Sequence, residues 1–201
     1  MAKGVENSAS GKAAKLALRR KALAWIGATE ARVFEGYAGN GAMWRAVWRE
    51  AAQTTGVDKR VIWDPQRVLY VAPVERVLRA IDLAAFNIFD LDAFGSPWPA
   101  AYVLSARRRL APGERCAIIT TDGTGIRARF GALEKTFAVL AEVAIEQQGA
   151  ADPAKTDRLA RQAAAGVARR MGGRLVWAEV AAQTGNKNLM TYAAFGLEGA
   201  A

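Results

Sequence analysis

The sequence predicts an α/β fold, namely a three-layer sandwich with a mainly parallel, seven-stranded sheet that ends in an antiparallel hairpin. Two patterns lead to this fold class. Short apolar segments alternate with longer amphipathic segments over most of the chain, as expected for parallel strands joined by helices. The last two apolar segments are separated by a polar turn alone, which is typical of a hairpin.

The first half of the chain contributes four predicted strands, each followed or preceded by a helix. The strands lie at 31–34, 54–58, 67–72 and 86–91, and the helices at 12–26, 42–52, 73–81 and 99–110. Pro73 fits the first turn of its helix, and three arginines at 107–109 place cations at the negative end of the last helix. Basic residues of the helix at 12–26, among them Lys15 and Arg19, alternate with apolar ones. We therefore expect that helix to lie on the surface with a solvated charged face.

The second half adds a fifth strand at 116–121, helices at 132–147 and 153–171, and closing strands at 174–181 and 190–195. The turn between the closing strands is predicted at 183–188. Residues 1–11 are small and polar, and we expect them to be flexible. No repeat or linker interrupts the remainder, so residues 12–201 are predicted to form a single domain.

The composition excludes several classes of catalyst. The 201 residues include no histidine and one cysteine, Cys116, which falls in the predicted fifth strand. A Ser-His-Asp or Cys-His unit cannot exist without imidazole, and no intrachain disulfide can form with one thiol. We expect no metal site, because zinc sites are built mainly from histidine and cysteine. Any chemistry must use carboxylates, amides, hydroxyls and backbone groups, or a bound cofactor.

The charge and hydropathy of the chain bear on its partners. Lys and Arg total 28 against 19 Asp and Glu, a net charge of +9, which indicates a polyanionic partner such as nucleic acid. A basic protein without such a partner is the alternative. No apolar run is long enough for a transmembrane helix, and the N-terminal segment lacks the apolar core of a secretory signal. We expect a cytoplasmic location and no membrane partner.

A glycine-rich segment, G-Y-A-G-N-G at 36–41, lies between the first strand and the next helix. A loop in this position places backbone N–H groups beside the carboxyl end of a strand, where ligands bind in open α/β sheets. The glycines are spaced G-x-x-G-x-G rather than G-x-G-x-x-G, which weakens the hypothesis of a nicotinamide-dependent dehydrogenase.

Residues 33–42, V-F-E-G-Y-A-G-N-G-A, resemble the first motif of class I S-adenosylmethionine-dependent methyltransferases. The similarity is greatest to the aromatic-x-Gly-x-Gly variant found in enzymes that methylate nucleic-acid nitrogens, with Tyr37 at the usual first glycine. It implies a Rossmann-like fold, S-adenosylmethionine as cofactor, and Glu35 facing the methionine end. Asp58 lies where the family places the acid that binds both ribose hydroxyls, and a simple turn residue is the alternative. The cofactor-binding residues implied in this way are Glu35, Gly36, Tyr37, Gly39, Gly41 and Asp58.

A second segment, D-A-F-G-S-P at 92–97, follows the fourth strand. It resembles the Asp-Pro-Phe-Gly-Ser-Pro motif in the catalytic domain of tRNA guanine-N2 dimethyltransferases, with Ala93 in place of the proline. A more distant similarity is to the Asp/Asn-Pro-Pro-aromatic motif of DNA amino-methyltransferases. The resemblance extends over nearly the whole chain, because the turn at 110–113 and the closing hairpin also fit the family.

The chemistry of such a reaction suits a protein without histidine. The sulfonium methyl group is already electrophilic, so the protein has mainly to align an exocyclic amine with it. Asp92 and the carbonyl of Ala93 can accept the two N–H bonds of that amine, and Asp92 can also help to remove the proton. Phe94 can stack on the extruded base. The predicted substrate-binding residues are Ser96, Pro97, Trp98, Arg127 and Arg129; for Trp98, packing in the core is an equal alternative.

The leading hypothesis is an S-adenosylmethionine-dependent methyltransferase that acts on an exocyclic amine of a nucleic-acid base, with guanine N2 of RNA as first choice. DNA amino methylation is the nearest alternative, and a non-catalytic, methyltransferase-like binding protein is another. The tRNA-modifying enzymes carry an additional RNA-binding domain, so we expect recognition to depend on another subunit or a homo-oligomer, or the chain to be a minimal catalytic domain.

Overall fold

The computed structural model of the protein describes residues 9–62, 64–124, 132–146, 152–183 and 190–201. Within these ranges, seven strands form one sheet in the order β3-β2-β1-β4-β5-β7-β6. The strands are β1 (Arg32–Gly36), β2 (Gln53–Asp58), β3 (Val68–Val71), β4 (Ile88–Leu91), β5 (Arg115–Asp122), β6 (Gly173–Gln183) and β7 (Met190–Gly199). Strands β1 to β5 are parallel, and β7 pairs antiparallel with both β5 and β6. The predicted fold class is confirmed.

Six α-helices of the described ranges cover the two faces of the sheet. They are α1 (Ala9–Ile26), α2 (Ala42–Ala46), α3 (Val74–Ala80), α4 (Trp98–Arg107), α5 (Lys135–Ala141) and α6 (Pro153–Arg170). Successive strand residues point to opposite faces. Val33 of β1 accordingly packs with α1 and α2, whereas Phe34 packs with α3 to α6. None of the helices in these ranges combines the length and the hydropathy needed to cross a bilayer.

Several element boundaries differ from those predicted. Helix α1 begins at Ala9, so residues 9–11 are helical where flexibility was predicted. The helix predicted at 42–52 ends at Ala46, because Val47 leaves the helical region (φ −141°), and a 3₁₀ turn at Trp48–Glu50 follows. The helix predicted at 132–147 spans only Lys135–Ala141 and ends where Glu142 adopts a left-handed conformation (φ 56°). The turn predicted at 183–188 falls, beyond Gln183, outside the described residues.

Helix α1 is not the surface helix that its charge pattern predicts. Leu18, Ala22 and Leu23 pack in the core against the sheet, and Lys15 and Arg19 are buried with them. Arg20 and Lys21 remain exposed. The prediction of a solvated face was therefore wrong for Lys15 and Arg19. The physical reason is that Asp90 of β4 and Asp92, just after it, present their carboxylates to this helix.

The parallel arrangement determines where a ligand can bind. Strands β1 to β4 run in one direction, so the loops that follow them meet at the same edge of the sheet. One of these loops, at 92–97, lies against the end of β5, where the N–H of Gly123 donates to the carbonyl of Gly95 at 2.8 Å. A Cβ at Gly123 would lie 2.8 Å from the carbonyl oxygen of Phe94, so this close approach requires glycine.

The packing of α5 on α6 gives a test of the fold. A Cβ built on Gly166 of α6 would lie 1.8 Å from the carbonyl oxygen of Leu140 in α5. At a solvent-exposed position inside a helix, replacing glycine with alanine stabilises the protein by about 1 kcal/mol. We expect Gly166→Ala to have the opposite sign and to lower the free energy of unfolding by about 1–3 kcal/mol, because the two helices must move apart. Urea unfolding measures the difference.

The matched control for this variant is Gln162→Ala, which changes an exposed position of the same helix. Its free energy of unfolding should remain within about 0.5 kcal/mol of the wild-type value. An equally stable Gly166→Ala variant would contradict the helix contact described above.

Candidate functional site

A cleft of about 820 Å³ opens at the carboxyl edge of the sheet. Its lining comes from the loops that follow β1, β2, β3 and β4, and the lining residues are Tyr37, Asp58, Lys59, Arg60, Pro73, Val74, Glu75, Asp92, Ala93, Phe94, Gly95 and Ser96. The volume lies in the range typical of small-molecule sites. The fold therefore brings Tyr37 of the glycine-rich segment, Asp58 and the loop at 92–97 together in one cleft. The other predicted cofactor-binding residues do not line it, namely Glu35, Gly36, Gly39 and Gly41.

The glycine-rich segment turns back over the end of β2 through three residues with positive φ, namely Tyr37 (60°), Gly39 (50°) and Gly41 (78°). This conformation is unfavourable for a residue with a side chain, and the resemblance places a glycine at position 37. The Tyr37 hydroxyl donates to Oε1 of Glu75 at 3.0 Å, which fixes the ring at the wall of the cleft. The loop therefore retains the backbone path of a glycine turn and adds an aromatic side chain to the cleft.

Asp58 ends β2 and presents its carboxylate at the cleft. It accepts hydrogen bonds from the backbone N–H groups of Gly39 and Arg60, both at 2.9 Å, and from Nε of Arg60 at 3.2 Å. Burial opposes the charge, but the bonds from Arg60 and Gly39 outweigh it and hold the pKa of Asp58 below its usual range. The Arg60 side chain is 66% exposed, so it can leave Asp58 at little cost. Asp58 is thus an ionised acceptor at the cleft wall.

The loop at 92–97 presents one large apolar side chain to solvent. Phe94 is 83% exposed at the cleft. The loop itself is held by the bond between Gly123 and Gly95, and by the N–H of Ala93, which donates to the carbonyl of Leu91 at 2.9 Å. An exposed ring on a fixed loop can stack against a flat ligand.

Trp98 lies in the core and does not line the cleft. Its side chain packs on Phe137 with ring centroids 4.5 Å apart, and its Nε1 donates to Oδ2 of Asp122 at 2.6 Å. Burial raises the pKa of Asp122, against the effect of the donors from Thr124 and Trp98. The predicted contact of Trp98 with substrate is therefore corrected to the alternative of core packing, because the first turn of α4 points this indole inward.

The remaining predicted substrate-binding residues divide into three groups. Ser96 lines the cleft, and its Oγ accepts from the N–H of Trp98 at 3.3 Å. Pro97 is buried at the start of α4. Arg127 and Arg129 lie outside the described residues.

A buried cluster of charges lies under the cleft on the face covered by α1. Asp90 of β4 accepts from Nε and Nη2 of Arg19, both at 2.7 Å, and from Nε1 of Trp48 at 2.8 Å. Asp92 accepts from Nζ of Lys15 at 2.7 Å, and Nη2 of Arg19 lies 3.3 Å from its other oxygen. The two cations of α1 are one helical turn apart and thus reach two acids that are two residues apart on β4 and its extension.

These cations determine the ionisation of Asp92. Burial opposes its charge, but Arg19 and Lys15 hold its pKa below the usual range. A carboxylate with a lowered pKa is a good hydrogen-bond acceptor and a weak base. A lowered pKa fits the expected role of Asp92 in orienting an amine better than the expected role in removing its proton.

Glu35 lies under the glycine-rich segment rather than on the cleft surface. It pairs in register with Asp90 across β1 and β4, is 2% exposed, and lies 3.2 Å from Nη1 of Arg67. Burial and the charge of Asp90 raise its pKa to about 8, against the effect of Arg67 and Arg19. Glu35 is therefore mainly protonated near neutral pH.

Sequence reasoning did not identify Arg67 as part of the site. Its guanidinium contacts Asp64 at 2.7 Å through Nε, and it packs so closely on Gly41 that a Cβ there would lie 2.7 Å from Cζ. Its Nη2 is buried and has no hydrogen-bond partner among the described residues. Arg67 thus supports the glycine-rich segment from below. No sequence motif marks it, since the contact with Glu35 joins residues 32 positions apart.

The sequence analysis also did not identify Lys15 and Arg19 as part of the site, although their positions in the helix indicate burial. They occupy positions i and i+4 of a helix. Lys15 is three positions before Leu18 and Arg19 three positions after Leu16, so both cations fall within the apolar face. Basic residues in the apolar face of a helix indicate buried acidic partners.

Comparison with known proteins identifies the fold. No family model matches the sequence, and no curated protein matches it either. Among solved structures, the N-methyltransferase NodS from Bradyrhizobium japonicum WM9 matches with a TM-score of 0.57 at 11% identity, over 98% of this chain and 100% of that one. Trm1 from Pyrococcus horikoshii, in complex with S-adenosyl-L-methionine, matches with a TM-score of 0.56 at 12% identity, over 94% of this chain. This chain spans 54% of the length of Trm1.

A third matching structure contains two bound small molecules. The 1,6-didemethyltoxoflavin-N1-methyltransferase from Burkholderia thailandensis, with its substrate and S-adenosylhomocysteine bound, matches with a TM-score of 0.51 at 14% identity, over 96% of this chain and 80% of that one. Together these structures show that the chain has the class I S-adenosylmethionine-dependent methyltransferase fold.

The raised pKa of Glu35 gives a test of the buried cluster. The folded protein retains a proton on Glu35 up to about pH 8, whereas the unfolded chain releases it near the ordinary value of 4.5. The stability due to protonated Glu35 is therefore complete below pH 4.5 and declines as the pH rises towards 8. In Glu35→Gln this decline should be absent, so wild type should lose up to about 1.4 kcal/mol per pH unit relative to the variant.

Urea unfolding at several pH values between about 5 and 8 measures this difference. Glu179→Gln is the matched control, because Glu179 is half exposed and its stability profile should follow that of wild type. Parallel profiles for wild type and Glu35→Gln would contradict the burial of Glu35 described here.

Proposed function

We propose that the protein is an S-adenosylmethionine-dependent N-methyltransferase whose acceptor is an exocyclic amine of a nucleic-acid base, with guanine N2 of RNA as first choice. One observation carries this proposal: the cleft combines Tyr37 and Asp58 with Asp92, Ala93 and Phe94 in a single cavity. In this proposal the first two residues belong to the cofactor site and the other three to the acceptor site.

The chemistry of the cleft fits the cofactor. The ionised carboxylate of Asp58 accepts hydrogen bonds, as a ribose diol requires, and its present donor Arg60 is largely exposed and displaceable. Pro73 and Val74, after β3, offer apolar contact to adenine in place of an acid. The bound cofactor would supply the electrophilic methyl group. The chain supplies the ribose acceptor, the turn that admits the cofactor and the group that orients the nucleophile.

The acceptor side of the cleft suits an amine attached to an aromatic ring. Such an amine is a weak nucleophile because its lone pair is delocalised. Acceptors at Asp92 and at the Ala93 carbonyl would hold its two N–H bonds in the geometry for attack. Phe94, exposed on the fixed loop, provides a surface for the ring. The solved structures of NodS and of the toxoflavin enzyme are both described as N-methyltransferases, which is consistent with attack by nitrogen.

The distribution of charge supports a nucleic-acid substrate to a limited extent. Lys59 and Arg60 line the cleft beside Asp58. The arginines at 107–109 are remote, because α4 begins at the cleft and its ten residues extend about 15 Å to the opposite edge. Phosphate contacts near the cleft would make binding weaken with salt. DNA amino methylation is the nearest alternative, and the two substrates are compared directly below.

A non-catalytic binding protein is the second candidate, and one observation favours it. Two of the three carboxylates at the cleft are already paired with cations, Asp58 with Arg60 and Asp92 with Lys15. A protein that had lost catalysis would have no need to release them. Binding of the cofactor, followed by transfer, separates the two candidates.

Calorimetric titration with S-adenosylhomocysteine tests the cofactor site. We expect saturable binding to wild type and a loss of about 10- to 100-fold in affinity for Asp58→Ala, because a charged acceptor of two hydroxyl groups is removed. Asp157→Ala, at an exposed ion pair on α6, is the control and should bind as wild type does. Absence of binding to wild type would refute the proposed function.

Transfer of a labelled methyl group tests the acceptor side. Total RNA and double-stranded DNA are offered separately, and we expect label in RNA. Asp92→Asn should reduce kcat about 10²- to 10³-fold while leaving the affinity for S-adenosylhomocysteine unchanged, because Asp92 contacts the acceptor and not the cofactor in this proposal. Label in DNA alone would show that DNA, and not RNA, is the substrate. Full activity of Asp92→Asn would show that Asp92 does not orient the amine.

A further inference from the structure

The orientation of Asp92 depends on helix α1, which the proposed function does not otherwise use. Nζ of Lys15 lies 2.7 Å from Oδ1 of Asp92, and Nη2 of Arg19 lies 3.3 Å from Oδ2. The side chains of Lys15 and Arg19 are 8% and 1% exposed. Both oxygens of the carboxylate that lines the cleft are thus held by buried cations from a different part of the chain.

We propose that Lys15 is a positioning residue, which with Arg19 keeps Asp92 ionised and fixed at the cleft so that it acts on the acceptor amine as a hydrogen-bond acceptor only. This inference rests on the proposed function for the identity of the amine. It goes further in assigning a role to α1 and in excluding Asp92 as the base.

The surroundings of Asp92 explain why cations are needed. Asp90 of β4 adds negative charge on the same face, and burial disfavours a further ion. Thr121 of β5 and Tyr192 of β7 complete the surroundings of the carboxyl group, and the charge of Asp92 in turn raises the pKa of Tyr192. Without Lys15 and Arg19 these influences would favour a protonated Asp92. A protonated carboxyl donates a hydrogen bond, so it would repel one N–H of the amine that it has to hold.

The two cations are not equivalent. Arg19 donates two bonds to Asp90 at 2.7 Å each and reaches Asp92 with the longer contact. Its Nη1 donates to the carbonyl of Lys15 at 3.0 Å, which joins the two residues. Lys15 makes the shorter contact with Asp92, and no ion pair joins it to Asp90. Lys15 is therefore the residue whose removal affects Asp92 most selectively.

The proposal also bears on the proton that the amine gives up. After methyl transfer the nitrogen carries a positive charge and is strongly acidic. A carboxylate paired with Lys15 and Arg19 is a weak base, so the proton passes to water and Asp92 remains ionised through the reaction. The rate should then be independent of Asp92 protonation at neutral pH.

Titration of carboxyl-¹³C-labelled aspartate by NMR tests the ionisation directly, without cofactor or substrate. The Asp92 signal is assigned by its absence in Asp92→Asn. In wild type, we expect its midpoint below the ordinary aspartate value of about 3.9. In Lys15→Met the midpoint should rise by about one to three pH units, the effect of removing an opposite charge in contact. Lys15→Arg retains the cation and should restore the wild-type midpoint.

Lys21→Met is the matched control on the same helix. Lys21 pairs with Glu179 at 2.6 Å, but both side chains are about half exposed and lie away from the cleft. The Asp92 midpoint should not move in this variant. A wild-type midpoint above about 3.9, or an unchanged midpoint in folded Lys15→Met, overturns the proposal. If Lys15→Met does not fold, the wild-type midpoint alone tests the proposal, by lying below or above the ordinary aspartate value.

The pH profile of methyl transfer gives the functional readout. In Lys15→Met the acidic limb of kcat should move to higher pH by the same amount as the NMR midpoint, and Lys15→Arg should follow wild type. A purely structural role for Lys15 would lower kcat equally at all pH values and would overturn the positioning role. Failure of wild type to bind S-adenosylhomocysteine refutes the proposed function but leaves the NMR result unaffected, so the two failures are distinguishable.

Discussion

The site depends on the buried contact between the first helix and the fourth strand. Arg19 binds both oxygens of Asp90, Lys15 binds Asp92, and the indole of Trp48 completes the shell of Asp90. Removing one partner from such a cluster leaves an uncompensated buried charge, which is far more costly than the net contribution of the intact pair. The cluster therefore fixes α1 on the sheet and, through Asp92, the orientation of the loop that lines the cleft. The same buried side chains therefore stabilise the fold and fix the geometry of the site.

The remaining features of the site follow from the sheet. Strands β1 to β4 end at one edge, which brings segments distant in sequence into a cleft whose opposite sides differ in chemistry. In the proposed function, Asp58 and Tyr37 contact the nucleoside, whereas Asp92 and Phe94 contact the planar amine. The solved methyltransferase structures share this fold at 11–14% identity.

Local patterns predicted the sheet, its hairpin and the cleft loops, because strand periodicity and glycine turns depend on neighbouring residues. Long-range pairing could not be predicted in the same way. The charges of α1 were interpreted as a surface face. The positions of Lys15 and Arg19 in the apolar face indicate buried acids, but nothing in the sequence shows which acids, more than 70 positions away, are their partners. Trp98 and Arg67 illustrate the same limit, because the partner of each is set by tertiary packing. The resemblance indicated which loops form the cleft, but not that its carboxylates are paired with cations.

Tyr37 shows how the cleft wall is made at the expense of local backbone freedom. A left-handed conformation costs a residue with a side chain about 1–2 kcal/mol, and the hydrogen bond to Glu75 offsets a similar amount. The folded state as a whole thus gains little from this tyrosine. What it contributes is shape: a rigid ring, tied to the beginning of α3, that narrows the entrance beside Asp58. Residue 37 therefore shapes the cleft more than it stabilises the fold.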